Sequence, residues 1–171
     1  MKEWSFKNDV LPLKDKLYRL ALRITLNKEE AEDIVQDTLM KVWMRRNSLT
    51  TVKSIESFSM AICHNLSVDR AQRADRKTLS IDETLHDNEA GNAYLPDQQL
   101  ISRDGRQTMM KILATLPEKQ RTAIQLRDME GMEYKEIAKI MAITESDVKV
   151  SLFRGRNKLK EEYLKISQYG L

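Results

Sequence analysis

Apolar residues recur at helical spacing in two blocks of this chain, and the stretch between the blocks breaks that spacing. In "YKEIAKIM", Tyr134, Ile137, Ala138 and Met141 fall at i, i+3, i+4 and i+7, one face of a helix. Helical patterning also marks "LPLKDKLYRLALRITL", "KEEAEDIVQDTLMKVWMRR" and "IESFSMAICHNLSVDRAQR" in the N-terminal block. "RQTMMKILATL" and "PEKQRTAIQLRDME" continue it in the C-terminal block. Between them, from about Asp75 to Gly105, lie Gly91, Pro96 and several Asn and Asp, with an acidic balance. That composition reads as a linker. Five glycines and three prolines in 171 residues are too few for the turns of an all-β chain. The expected fold is therefore all-α, with two small helical domains over residues 1–77 and 106–171 and a flexible acidic linker over 78–105.

Local signals set the helix limits. Pro12 is tolerated in a first turn. Asn27 can cap the second helix, whose first turns carry Glu29, Glu30 and Glu32 at the positive end of the dipole. The polar run "NSLTTVKS" breaks the pattern, and Ser54 can cap the third helix. The fourth helix offers Met109, Ile112, Leu113 and Leu116 to a core. Pro117 opens the next helix and Gly131 is placed to end it.

Charged residues make up 32% of the chain and the net charge is +3, so only the distribution of charge can speak for or against a nucleic-acid partner. Cys63 is the only cysteine, which rules out an intrachain disulfide and suits a reducing cytoplasm. With His64 and His86 it makes no plausible structural zinc site. No cofactor or metal is expected. The polar N-terminus lacks the apolar segment of a signal peptide, and no apolar run is long enough to insert in a membrane.

The C-terminal stretch "YKEIAKIMAITESDVKVSLFRGRNKLKE" reads as two helices joined by a tight turn. Thr144 begins "TESD", a capping-box-like pattern with Asp in the usual Glu/Gln place. On the second helix Val148, Leu152, Gly155 and Leu159 form a buried stripe. Ser146, Val150, Phe153, Arg154 and Asn157 then face outward, with Lys149 on their flank. Arg156, Lys158 and Lys160 follow near the helix end. A short-turn helix pair with a long basic second helix fits a DNA major groove. Late cations could instead only complement the helix dipole, and Phe153 could be core.

In the N-terminal block, Ala31, Ile34, Val35, Leu39 and Val42 make the core stripe of the second helix. Asp33, Gln36, Asp37, Met40 and Met44 gather on the other side. Methionines among carboxylates suit a docking surface for a protein partner, or packing on a neighbouring helix. The third helix places Ile55, Phe58, Ile62 and Leu66 toward a core, with Asn65 half-buried beside them. Arg70, Arg73, Arg76 and Lys77 give it a basic end suited to phosphates.

The segments "AEDIVQDTLMKVW", "SFSMAICHNLSVDR" and "LPEKQRTAIQLRDMEGMEYKEIAKIM…VKVSLFRGRNKLK" together resemble an extracytoplasmic-function sigma factor of the sigma-70 family, in module order and over nearly the whole chain. The resemblance implies a promoter-specificity subunit of bacterial RNA polymerase, cytoplasmic and not an enzyme. Residues 1–77 would be the sigma-2 domain, docking on core polymerase through Asp33, Gln36, Asp37 and Met40. The "NSLTTVKS" loop and the third helix would melt and read the −10 region, with Asn65 in a base pocket and Asp69, Arg70 and Arg73 along the DNA. Residues 106–171 would be sigma-4, reading the −35 element through Lys149, Val150, Phe153 and Arg154, with Arg156 and Lys158 on phosphates. An anti-sigma factor is implied as a further partner. Val150, Ser151 and Gly155 depart from the family's usual residues, which bears on the −35 sequence rather than the fold.

A stand-alone helix-turn-helix regulator is the alternative; it needs a dimer interface and no polymerase-docking module. A helical adaptor that binds polymerase without reading DNA would have no use for the basic helix. No Ser/His/Asp, Cys/His, metal-ligand or P-loop constellation supports an enzyme.

Overall fold

The computed structural model describes residues 3–80 and 103–168, and among them there is no strand. Seven α-helices carry the architecture: α1 (Lys14–Thr25), α2 (Lys28–Met44), α3 (Ile55–Ser80), α4 (Arg103–Thr115), α5 (Glu118–Ile124), α6 (Tyr134–Met141) and α7 (Glu145–Gln168). Two helical regions result, as the periodicity predicts. Residues 81–102, the middle of the expected linker, lie outside the described residues; α3 runs into its expected start and α4 begins inside its expected end.

In the N-terminal region α1, α2 and α3 pack on one another. Helix α1 ends because Leu26 turns into the left-handed conformation, its N–H still reaching the Leu22 carbonyl at 2.8 Å. Asn27 then caps α2, its Oδ1 accepting from the Glu30 N–H at 3.0 Å. The run "NSLTTVKS" is not a plain break. Residues Arg46–Thr51 wind a 3-10 turn that buries Leu49 against Val10, Val42 and Ile55. Ser54 caps α3 by accepting from the Ser57 N–H at 3.1 Å.

Three expectations about burial are corrected. Asn65 is exposed rather than half-buried. The deepest face of α3 is built from Ser59, Met60, Cys63, His64 and Ser67, so the stripe is rotated away from the large residues Phe58, Ile62 and Leu66, which are only partly buried. Met109 likewise sits at the surface of α4, while Ile112, Leu113 and Leu116 are buried as expected.

In the C-terminal region Gly131 closes the turn after α5 at φ +69°, a conformation that glycine adopts without Cβ strain. The α6–α7 turn is short because Ala142 goes left-handed and the Ile143 N–H returns to the Ala138 carbonyl at 3.0 Å. Thr144 Oγ1 accepts from the Asp147 N–H at 3.0 Å and starts α7. Gly155 lets α7 lie directly on α5, since a Cβ there would stand 2.9 Å from Ile124 Cδ1.

The two regions share one apolar core. A single buried cluster runs from Leu17, Leu20, Ile24, Met60 and Cys63 to Leu116, Ile124, Leu126, Ile137 and Leu152. Helix α3 lies along α6, and the end of α1 meets α5. At that junction Arg121 donates to the carbonyls of Arg23 (2.9 Å), Ile24 (3.0 Å) and Leu116 (2.7 Å). One guanidinium thus satisfies carbonyls at the ends of α1 and α4 that helix geometry leaves open.

Candidate functional site

Two exposed surfaces, one in each region, gather the expected site residues. On α2, the buried side is Ala31, Ile34, Val35, Thr38 and Val42, so Asp33, Gln36, Asp37 and Met40 point to solvent. Met40 is 61% exposed and Met44 73%, so neither methionine packs on a neighbouring helix. Trp43, which the sequence pattern did not single out, extends this face. It is exposed, meets Phe6 edge-on at 5.1 Å and carries the Arg46 guanidinium 4.1 Å above its ring. The resulting surface is acidic at one end of α2 and apolar at the other. Such a face can hold a protein partner that offers both cations and apolar side chains.

On α3, Asn65, Asp69 and Arg73 recur four residues apart and are all exposed. Arg73 pairs with Asp69 at 2.9 Å. Asn65 Oδ1 lies 3.3 Å from His64 Nδ1. Burial holds the pKa of His64 below its ordinary value, so its ring is neutral beside that amide at neutral pH. Arg70 turns away from this row toward α2. Its guanidinium lies 2.6 Å from Glu30, 3.0 Å from Asp37 and 3.7 Å from Asp33. Hydrogen bonding to Glu30 is the main cause of its raised pKa. The structure therefore joins Arg70, expected at DNA, to two carboxylates expected at polymerase.

On α7, Val148, Ser151, Leu152 and Gly155 are buried, and Lys149, Val150, Phe153 and Arg154 are exposed. Phe153 is 68% exposed and so takes no part in the core. Lys149 Nζ stands 5.7 Å from the Tyr134 ring, which also carries Arg127 at 4.5 Å. Among the described residues neither Lys149 nor Arg154 forms an ion pair, which leaves both charges for an external anion or base edge. Arg156 and Lys158 differ. Arg156 Nε donates to Asp128 at 3.0 Å, the main cause of its raised pKa, and Lys158 pairs with Glu162 at 3.2 Å. A helix of this kind, held by its buried stripe and presenting an unpaired arginine beside an exposed ring, can enter a major groove.

Elsewhere, Cys63 is buried and its thiol is pushed up to about 12, chiefly by burial, so it is not a reactive nucleophile. Among the described residues no cluster could hold a metal ion, and no helix is long and apolar enough to cross a membrane.

Residues 10–77 match the family described as Sigma-70 region 2, and residues 106–159 match Sigma-70, region 4. The chain is 27% identical over 156 residues to the ECF RNA polymerase sigma factor SigW of Bacillus subtilis, covering 87% of this chain and 83% of that one. Among solved structures it is similar to the sigma factor RpoE of Bartonella quintana, determined in complex with the anti-sigma factor NepR. The TM-score is 0.75, the identity 28% and the coverage 94% of this chain and 97% of that one. CnrH, determined in complex with the cytosolic domain of CnrY, shares the fold with a TM-score of 0.63 at 20% identity, covering 91% of this chain and 85% of that one.

Proposed function

Since the chain belongs to the extracytoplasmic-function subfamily of sigma-70 factors, we infer that its two exposed faces divide the work of such a factor between them. The protein is an RNA polymerase sigma factor, directing core polymerase to promoters and initiating transcription. In the division proposed, residues 1–77 dock on core polymerase through Asp33, Gln36, Asp37 and Met40. Asn65, Asp69, Arg70 and Arg73 serve the −10 region. Residues 106–171 read the −35 duplex through Lys149, Val150, Phe153 and Arg154, while Arg156 and Lys158 hold phosphates. An anti-sigma factor restrains the protein, which works in the cytoplasm where polymerase and promoter are, and carries no catalytic step of its own.

One observation carries this reading: a mixed acidic and methionine face on α2 and an outward basic, aromatic face on α7 coexist in one chain. A stand-alone helix-turn-helix regulator would leave the α2 face without a role. Phosphate contacts give salt-dependent affinity without sequence choice, and base-edge contacts give the choice. Titration of core polymerase with the purified protein tests the docking half. Asp33→Arg with Gln36→Ala is expected to weaken binding while helix content stays intact. Unchanged affinity would remove α2 from the docking surface.

A further inference from the structure

The segment before α1 has no part in the division of labour, yet it builds a second, smaller core. Ser5 folds it into one tight turn. Its Oγ accepts from the Asn8 N–H at 3.3 Å, and its own N–H donates to Asp9 Oδ2 at 2.7 Å. That turn carries Trp4, Phe6 and Val10 onto the end of α2 and the 3-10 turn Arg46–Thr51. Val10 is fully buried with Val42, Leu49 and Ile55, and Trp4, Phe6 and Val52 pack against them. Trp4 Nε1 donates to the Val52 carbonyl at 3.3 Å, across 48 residues of sequence.

We propose that Trp4 is a positioning residue for promoter opening: it holds the Arg46–Thr51 turn in the shape that takes the opened −10 strand. The proposal rests on the function inferred above, in which the N-terminal region serves the −10 element. Asn47, Ser48, Thr50, Thr51 and Lys53 are all exposed on this turn and its exit. A cation beside short hydroxyl and amide side chains suits the phosphates and base edges of a single strand.

Such groups discriminate only when they are held within about 0.5 Å of the productive geometry. A 3-10 turn of six residues is longer than its poor hydrogen-bond geometry sustains unaided. The Ser48 N–H reaches the Arg45 carbonyl at 2.9 Å and the Val52 N–H reaches the Leu49 carbonyl at 3.0 Å. These bonds shape the turn from within but do not fix it to the rest of the region. Leu49 pins its middle in the small core. Trp4 pins its end, where Val52 turns extended and leaves the helical ladder. The small core is separate from the main one, so loosening Trp4 frees the turn without opening the helical bundle.

Holoenzyme assembled with the full chain tests this on single-stranded DNA. A random pool of single-stranded oligonucleotides is selected on wild-type holoenzyme after counter-selection on core polymerase alone. The enriched oligonucleotide and a scrambled copy then serve as probes. Trp4→Phe keeps an aromatic ring but removes the donor, and should bind the enriched probe about threefold more weakly. Trp4→Ala, which also empties part of the small core, should lose about tenfold or more. Asp9→Ala loosens the segment without touching the turn, and should fall between wild type and Trp4→Ala. The affinity ratio of enriched to scrambled probe should shrink in all three, a change that a smaller folded fraction alone would not produce. Titration with core polymerase should match wild type, since Asp33, Gln36, Asp37 and Met40 are untouched. Thermal melts identify a variant that folds poorly, and Asp9→Ala keeps the test decisive if Trp4→Ala is one. An unchanged probe ratio in Trp4→Phe and Asp9→Ala, or equal losses toward core polymerase and toward the probe, would overturn the positioning role. A pool from which wild-type holoenzyme enriches nothing would instead count against the function proposed.

Discussion

The Arg70 guanidinium lies 3.0 Å from the Asp37 carboxylate, so an arginine expected along DNA holds a carboxylate expected against polymerase. The same guanidinium reaches Glu30 and Asp33. These carboxylates are well exposed, so the cluster adds on the order of 1 kcal/mol or less to stability. Its consequence is functional. Arg70→Gln should weaken both core binding and promoter melting, while Arg73→Gln, whose ion pair among the described residues is with Asp69 on its own helix, should weaken melting alone. Polymerase titration and permanganate reactivity at the −10 region read the two effects separately. Equal behaviour of the two variants in both assays would deny Arg70 its shared position.

Asn65→Ala should support closed-complex formation and melt promoters poorly. Because Asn65 is exposed, the substitution leaves no buried polar group behind and should shift the thermal midpoint little. Loss of melting together with a large loss of stability would show that the side chain serves the fold instead.

Gly155→Ala should destabilise the C-terminal region by about 1–3 kcal/mol, the usual cost of overpacking. The added Cβ would stand 2.9 Å from Ile124 Cδ1 and 3.2 Å from Gln120 Cβ. Ile124→Val removes that Cδ1. The double variant should therefore lose less than the sum of the two single losses in denaturant unfolding. Strict additivity would mean that α5 moves aside rather than clashing.

Acidification should weaken the fold through His64. Burial lowers its pKa in the folded state, whereas the unfolded imidazole has its ordinary value of 6.5. Below that pH the unfolded chain binds the extra proton, so stability present above about pH 6.5 is lost as pH falls toward the folded value. Asn65 and Glu118 oppose the shift without reversing it. Thermal melts from pH 7.5 to 5.5 should show a shallower decline in His64→Gln than in wild type. Parallel declines would assign the acid sensitivity to other groups.

The parts of this molecule that were readable in advance are those decided by near neighbours in sequence. Asn27, Ser54, Thr144 and Gly131 mark helix limits because capping and left-handed turns act over three or four residues. The outward position of Phe153 follows from the stripe of Val148, Leu152 and Gly155 on its own helix. What could not be read depends on distant partners. Asn65 looked half-buried because Phe58, Ile62 and Leu66 are the bulky residues of α3, yet small Ser59, Cys63 and Ser67 are the fully buried ones. Arg23 and Arg121 resemble ordinary surface cations until α1 meets α5, nearly 100 residues away in sequence. Arg70 joins two surfaces that the chain order keeps apart.

Promoter-directed transcription tests the central claim most directly. Core polymerase, the purified protein and a template library randomised across the −35 element would be combined, and the transcribed templates sequenced. The account predicts transcripts that depend on the protein and show a −35 preference. Arg154→Ala should relax that preference at one position, by on the order of 1–3 kcal/mol. Lys158→Ala should lower all templates alike, through a phosphate contact and with reduced salt sensitivity. Transcripts independent of the protein, or a −35 preference untouched by Arg154→Ala, would contradict it.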